Sequence, residues 1–408
     1  MGSRAIRTTS ARPRQAEHPN PLVESAYVTD QEAYMTDTTL ETDREFARID
    51  DEQVAALRNM IGKPIRSDRP HITELTSDAI RHYAFGIGDR NPLWTEPEYT
   101  ASQGKPQLAP PSALLAMDKV FSGYVTGLPG IHAMYAGTTF EFERPLQVGD
   151  KLKGSATLKE LIERPSKFAG RSWQQIYEVP FHDPEGNLVC TGHSYCFRIE
   201  RDNARENKKY EEIRVEWTPD QIQEIAQRYR DEEARRRGDK PLYIDEVKVG
   251  DKLPALTKGP YTATTAIAYL LGWGGLYVRG HGDAFDLFNR HPALGIPNEW
   301  GVPEPPERVH WDPDLARRVG VPGAYDYGPE RVSWMSHVIT DWMGDAGFMK
   351  YLDVQVRRHN VLGELVTCDG EITAVDTATR TVEIKLDAVN QDGHESARGT
   401  ARVVLPAR

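Results

Sequence analysis

The stretch NPLWTEPEYTASQG at 91–104 returns as ERVHWDPDLARRVG at 307–320. Trp94 falls on His310, Glu96 on Asp312, Pro97 on Pro313, Glu98 on Asp314 and Gly104 on Gly320, each pair 216 residues apart. Further on, RPLQVGD at 144–150 echoes RRHNVLGE at 357–364 at nearly the same offset. Order and spacing that agree over many elements mean one supersecondary unit used twice. A chain of 408 residues has room for two or three domains. The repeat points to two copies of one α+β unit, residues 41–205 and 241–408. A linking helix within 206–240 joins them, and a polar, flexible tail over 1–40 precedes them.

Each copy shows helical spacing first and alternation later. Apolar residues at helical intervals predict helices over 41–60, 75–88 and 112–126 in the first copy, and over 261–275 and 331–344 in the second. Thr76 or Ser77 can cap the helix at 75–88, and Gly88 ends it. Alternating stretches at 134–144, 151–161, 172–181 and 187–200 read as successive antiparallel strands. They are answered by 351–359, 364–375, 380–388 and 396–405. Between the copies, Thr218 and Pro219 form an N-cap with an N1 proline. The charged run EEARRRGDK closes that helix by Gly238.

Composition enters mainly by exclusion. The 61 acidic and 50 basic residues give a formal net charge of −11. Affinity for nucleic acid comes largely from neutralising phosphates, so no nucleic-acid partner is expected. One anionic ligand in a local basic pocket remains compatible. Cys190, Cys196 and Cys368 make no CxxC pair, so neither a zinc cluster nor a redox dithiol is indicated. The first residues carry positive charge but no apolar core, unlike a secretory signal. No run of 18 apolar residues appears, and no membrane span is expected. There is no GxGxxG after a strand, no GxxxxGKS/T and no HExxH.

Two motifs of the first copy, HYAFGIGDRNPLWTEPEY (82–99) and GLPGIHAMYAGTTFEFERPLQVGD (127–150), resemble the MaoC-like dehydratase family. So do VHWDPDLARRVG, AYDYG, SHVITDWMGD and NQDGHESARGTARVVLP of the second copy; together the likeness spans roughly 45–405. The resemblance implies a double hotdog, each repeat a long central helix wrapped by an antiparallel β-sheet. It implies (R)-specific enoyl-CoA hydratases and (3R)-hydroxyacyl-CoA dehydratases, cytoplasmic and often homodimeric. Such lyases act on an acyl-CoA, with no cofactor beyond the CoA the substrate carries and no metal.

The family's chemistry uses an Asp and a His five residues apart to hold one water. In the first repeat Asp89 stands at the Asp position and Trp94 at the His position. An indole cannot shuttle a proton, so this repeat is expected to be silent, with Asp89 accepting a hydrogen bond at a helix end. The second repeat keeps the histidine, His310, but Pro305 stands five residues before it. GWGG at 272–275 ends the preceding helix, and about 30 residues intervene before EPPERVHWD. A carboxylate could fold back to replace the missing Asp. Asp283 in GHGDAFD is the first candidate and Asp326 in GAYDYG the second.

The catalytic set read from the sequence is therefore His310, Asp283, Asp326 and Tyr327, the last as a hydrogen-bond donor to a substrate oxygen. Arg357 or Arg358 could meet a CoA phosphate, since alternation points them to opposite faces and arginine suits phosphate. Asp312 and Asp314 read as caps of a helix at 313–319. Trp334, Met335, His337, Ile339, Trp342 and Met343 read as core of the central helix. Two other readings stay open: another acyl-CoA activity such as a thioesterase, or a non-catalytic acyl-CoA-binding partner subunit.

Overall fold

A computed structural model describes residues 48–164, 171–200 and 213–408; the tail expected over 1–40 lies outside them. In the first repeat the helices are α1 (Asp51–Arg58), α2 (Ser77–Gly86), α3 (Pro92–Thr95) and α4 (Pro97–Ser102). Strands β1 (His132–Phe142), β2 (Lys153–Gly154), β3 (Thr157–Glu163), β4 (Ser172–His182) and β5 (Leu188–Ile199) follow. The linking helix α5 (Pro219–Arg235) starts with a capping box, in which Thr218 accepts from Gln221 N–H and Gln221 from Thr218 N–H. The second repeat holds β6 (Lys252–Lys258), α6 (Ala263–Trp273), α7 (His281–Arg290), β7 (Ile296–Pro297), β8 (Pro303–Glu304) and α8 (Pro313–Arg318). It ends with α9 (Gly328–Met343), β9 (Phe348–Val356), β10 (Val366–Asp376), β11 (Thr381–Asn390) and β12 (Glu395–Val404).

Ten of the described strands form one antiparallel sheet in the order β2-β4-β5-β1-β9-β12-β11-β10-β6, with β3 also on β4, while β7 and β8 pair as a separate two-stranded ribbon. The two repeats meet at β1 and β9, where Gly137 pairs Gln355 and Glu141 pairs Tyr351. At this seam a side chain on Gly137 would start 2.0 Å from Val354 O, so the backbones approach as closely as only glycine allows. The helices of the two repeats also touch. A side chain on Gly86 would meet Ala268 O, and one on Gly272 would meet His82 O at 2.7 Å and Tyr83 Cα at 2.8 Å. Helices α2 and α6 thus cross backbone to backbone at matching glycines. The α+β architecture expected from the repeat is present, with the insert α7-β7-β8 placed between α6 and α8.

Helix α9 is buried from Pro329 to Met343, as a helix at the centre of a protein must be. Its ionisable side chains have partners. Glu330 accepts from Tyr261 Oη at 2.7 Å. His337 Nδ1 meets Lys258 Nζ at 2.9 Å, while its Nε2 lies 3.2 Å from Asp89 and 3.3 Å from Asp341. Arg236 from the linking segment pairs with Asp341 at 2.9 Å. Asp89 of the first repeat is thereby bound into the core, and it also accepts from Asn91 N–H.

The helix expected over 112–126 is not formed. A 3-10 turn covers Pro111–Ala116, and the chain then runs irregularly to β1. Gly123, Gly127 and Gly130 all have positive φ, which an α-helix does not admit. Buried backbone carbonyls still need donors. Arg198 supplies them, donating to Gly127 O at 2.8 Å, Leu128 O at 2.5 Å and Ile131 O at 2.9 Å. No helix among the described residues is long and apolar enough to cross a membrane.

Candidate active site

The irregular segment leaves room. A cavity of about 560 Å³ lies between residues 122–136 of the first repeat and the start of α9 in the second. Leu128, Ile131, Met134, Leu294, Ile296 and Val309 give it apolar walls, and the insert supplies two of these. Its polar lining includes Glu307, His310, Asp326, Tyr327, Arg331 and residues 357–359.

His310 ends a 3-10 turn, Pro306–His310, just before the capped helix α8. Asp312 caps α8 by accepting from the N–H groups of Asp314 and Leu315. The Nδ1 of His310 lies 2.8 Å from Tyr325 O. A carbonyl only accepts, so Nδ1 carries the proton and Nε2 keeps its lone pair. The ring stacks on Tyr327 at 3.7 Å and meets Tyr325 edge-on at 4.7 Å. Burial, with Arg331 adding, pulls the imidazole down to about 4. It is therefore a neutral base at ordinary pH.

Tyr327 is 3% exposed, and its hydroxyl has no hydrogen-bond partner among the described residues. Burial first, then Glu307 and Glu330, holds the phenol well above its ordinary value. It stays a donor, placed at the N-cap of α9. Asp326 is engaged otherwise. Arg331 grips it through Nε and Nη2, both at 2.7 Å, and Asn360 donates from Nδ2 at 2.7 Å and from its N–H at 3.2 Å. Asp326 thus faces the cavity as half of a closed ion pair.

Asp283, the first candidate from the sequence, is exposed on α7 and does not line the cavity. The carboxylate that reaches the cavity beside the insert is Glu307, at 6% exposure, accepting from the N–H groups of Leu276 and Tyr277. Arg357 and Arg358 both line the cavity; Arg358 lies 3.0 Å from Glu364 and Arg357 3.9 Å from Glu395. Two further groups were not singled out from sequence, Glu307 and His359. The His359 ring packs edge-on to Tyr325 at 4.4 Å, and burial with Arg331 pulls it down to about 3.

Two histidines held neutral by burial link stability to pH. Their unfolded value is about 6.5, above both folded values. As pH falls below about 6.5, the unfolded chain takes up protons first, so stability present at neutral pH is lost on the way down to about 4 and 3. The urea midpoint should fall over that window, and His359→Asn should fall less steeply than the unchanged protein. Equal slopes would remove His359 from this account.

Comparison with known proteins covers the first repeat and the fold. Residues 59–191 match the family described as FAS1-like, dehydratase domain region. A UPF0336 protein of Streptomyces coelicolor is 27% identical over 140 residues, 33% of this chain and 89% of that protein. One of Saccharopolyspora erythraea is 30% identical over 127 residues, 30% of this chain and 78% of that protein. Among solved structures, a MaoC-like dehydratase superposes with a TM-score of 0.58 at 20% identity, over 86% of this chain and 100% of that one. A conserved hypothetical protein of Mycobacterium tuberculosis with a double hotdog fold gives 0.52 at 11% identity, over 84% and 96%.

The fold is thus a double hotdog, and the cavity at the start of α9 brings His310, Tyr327, Glu307 and Arg331 together. Through its first repeat, the chain belongs to the UPF0336 family.

Proposed function

We propose that the protein is a hydro-lyase that reversibly hydrates a 2-enoyl-CoA to a 3-hydroxyacyl-CoA. The observation that carries this is the neutral imidazole of His310, its Nδ1 tied to Tyr325 O, in a largely apolar cavity at the N-terminus of α9. Hydration needs a base for one water and donors for the charge that develops on the thioester oxygen. His310 Nε2 is the base. It takes a proton from the water as the water oxygen bonds to the β-carbon, and the electron pair of the double bond moves toward the thioester. The N–H of Gly328, first residue of α9, has no intrahelical acceptor and is a donor for the carbonyl oxygen. The Tyr327 hydroxyl adds a second donor. The proton held by His310 then passes to the α-carbon, which restores the base. The apolar walls take the acyl chain, and Arg357 and Arg358 meet a CoA phosphate. The test is turnover of purified full-length protein on a panel of 2-enoyl-CoA thioesters, read as loss of the conjugated thioester absorbance. Turnover of at least one member is expected; none across a broad panel overturns the reading.

A further inference from the structure

We infer that Glu307 is the carboxylate that shares the reacting water with His310; this rests on the hydration reading above. The two repeats fix the comparison. Helices α2 and α6 cross at Gly86 and Gly272, and two residues on both chains turn at a glycine of positive φ, Gly88 at 65° and Gly274 at 86°. The next residue is Asp89 in the first repeat and Gly275 in the second. The spatial counterpart of Asp89 is therefore Gly275, which has no side chain, and the insert begins immediately after it.

Glu307 reaches that place from the far end of the insert. A side chain on Gly275 would start 3.1 Å from Glu307 Oε1. The carboxyl thus lies beside the spot from which an aspartate at 275 would project. It is fixed there by Leu276 N–H, at 3.0 and 3.2 Å from its two oxygens, and by Tyr277 N–H. Glu307 and His310 sit three apart in the 3-10 turn Pro306–His310. Side chains at that spacing eclipse in a 3-10 helix, so both project from one face, and both line the cavity.

The alternatives are committed or remote. Asp326 is closed by Arg331 and Asn360, and Asp283 is exposed on α7. Glu307 is held by backbone N–H groups, which favour the ionised form and leave lone pairs for a further donor. Burial acts in the opposite sense and raises its carboxyl above the ordinary range, against the pull of those N–H groups.

In the step itself, one hydrogen of the water points to Glu307 and the other to His310 Nε2. The water oxygen bonds to the β-carbon while His310 takes its proton, and the imidazolium so formed delivers that proton to the α-carbon. Glu307 keeps the water aimed and stabilises the transient imidazolium; no proton, oxidant or co-reactant is left over.

The experiment uses the full chain and the enoyl-CoA that it turns over fastest. Glu307→Gln is expected to lower kcat about 100-fold, with KM nearly unchanged and the acid limb of the kcat profile displaced. Glu307→Asp keeps the charge but shortens its reach by one methylene, and is expected to lose about ten-fold in kcat. Thermal unfolding is recorded for both, and the decision is taken on whichever variant is folded. Wild-type kcat in a folded variant overturns the assignment. So does a fall in melting temperature with an unchanged kcat profile, which is what a purely structural Glu307 gives. An unchanged protein that turns over no enoyl-CoA fails at the earlier reading instead, so the two failures are distinguishable.

Discussion

His310→Ala is expected to lower the turnover of a 2-enoyl-CoA by about 10²–10⁴-fold, the range lost with a positioned general base. The fall should appear in kcat. In the proposed reaction His310 acts on the water, with CoA and the acyl chain bound by other groups, so KM should move little. The fold should survive. The substitution removes one hydrogen bond, to Tyr325 O at 2.8 Å, worth about 0.5–1.5 kcal/mol, and a stacking contact with Tyr327. The space left adjoins the cavity and has the shape of an imidazole. Added imidazole should therefore restore part of the rate to this variant and none to Glu307→Gln. Turnover by His310→Ala at the unchanged protein's level would remove His310 from the chemistry.

The second large effect is on stability. Arg331→Met should destabilise the fold by about 3–5 kcal/mol, because it strands Asp326 as an unpaired buried carboxylate. Arg331 and Asp326 are 1% and 0% exposed, and two contacts of 2.7 Å join them. Arg331 also donates to Ser396 O at 3.0 Å, tying α9 to the last strand. Urea denaturation reads the loss. Adding Asp326→Asn to Arg331→Met removes the stranded charge and should recover much of the stability, so the two changes are non-additive. The loss in the single variant should also shrink in acid, where Asp326 takes up a proton and burial has already raised its carboxyl. A single variant as stable as the unchanged protein would mean that the pair carries no net weight.

Much of the scaffold could be read before any coordinates. Capping chemistry is local, so Thr76, Thr218 and Asp312 each cap the helix whose start they mark in the sequence. Alternation gave the strands for the same reason, since one face of the sheet is buried, in β1, β6 and β9–β12 against α9. The segment 112–126 reads as helix because Ala113, Leu114, Met117, Val120 and Phe121 recur at helical intervals, yet all five are buried in an irregular run. Periodicity reports burial, not hydrogen bonding, and donors to this run come from far along the chain: Tyr83 Oη to Ser112 O, Trp273 Nε1 to Leu115 O and Arg198 to Thr126 O. The site divides along the same line. His310 and Tyr327 lie in short motifs beside elements that are locally specified. The place of Asp283 depended on the path of an insert of about 30 residues, which no local signal sets. Glu307 could have been found from PPERVH only by knowing that this turn is 3-10, which brings residues three apart onto one side.

The seam between β1 and β9 has a consequence for dosage. The cavity draws Met134 and Tyr135 from one repeat and His310 from the other, so neither repeat holds the whole site. Two separate chains would meet by mass action and part on dilution. Here one polypeptide holds the halves at an effective concentration that dilution does not change. Their stoichiometry is one to one by translation, and the site in each chain is as complete at the lowest protein concentration as at the highest.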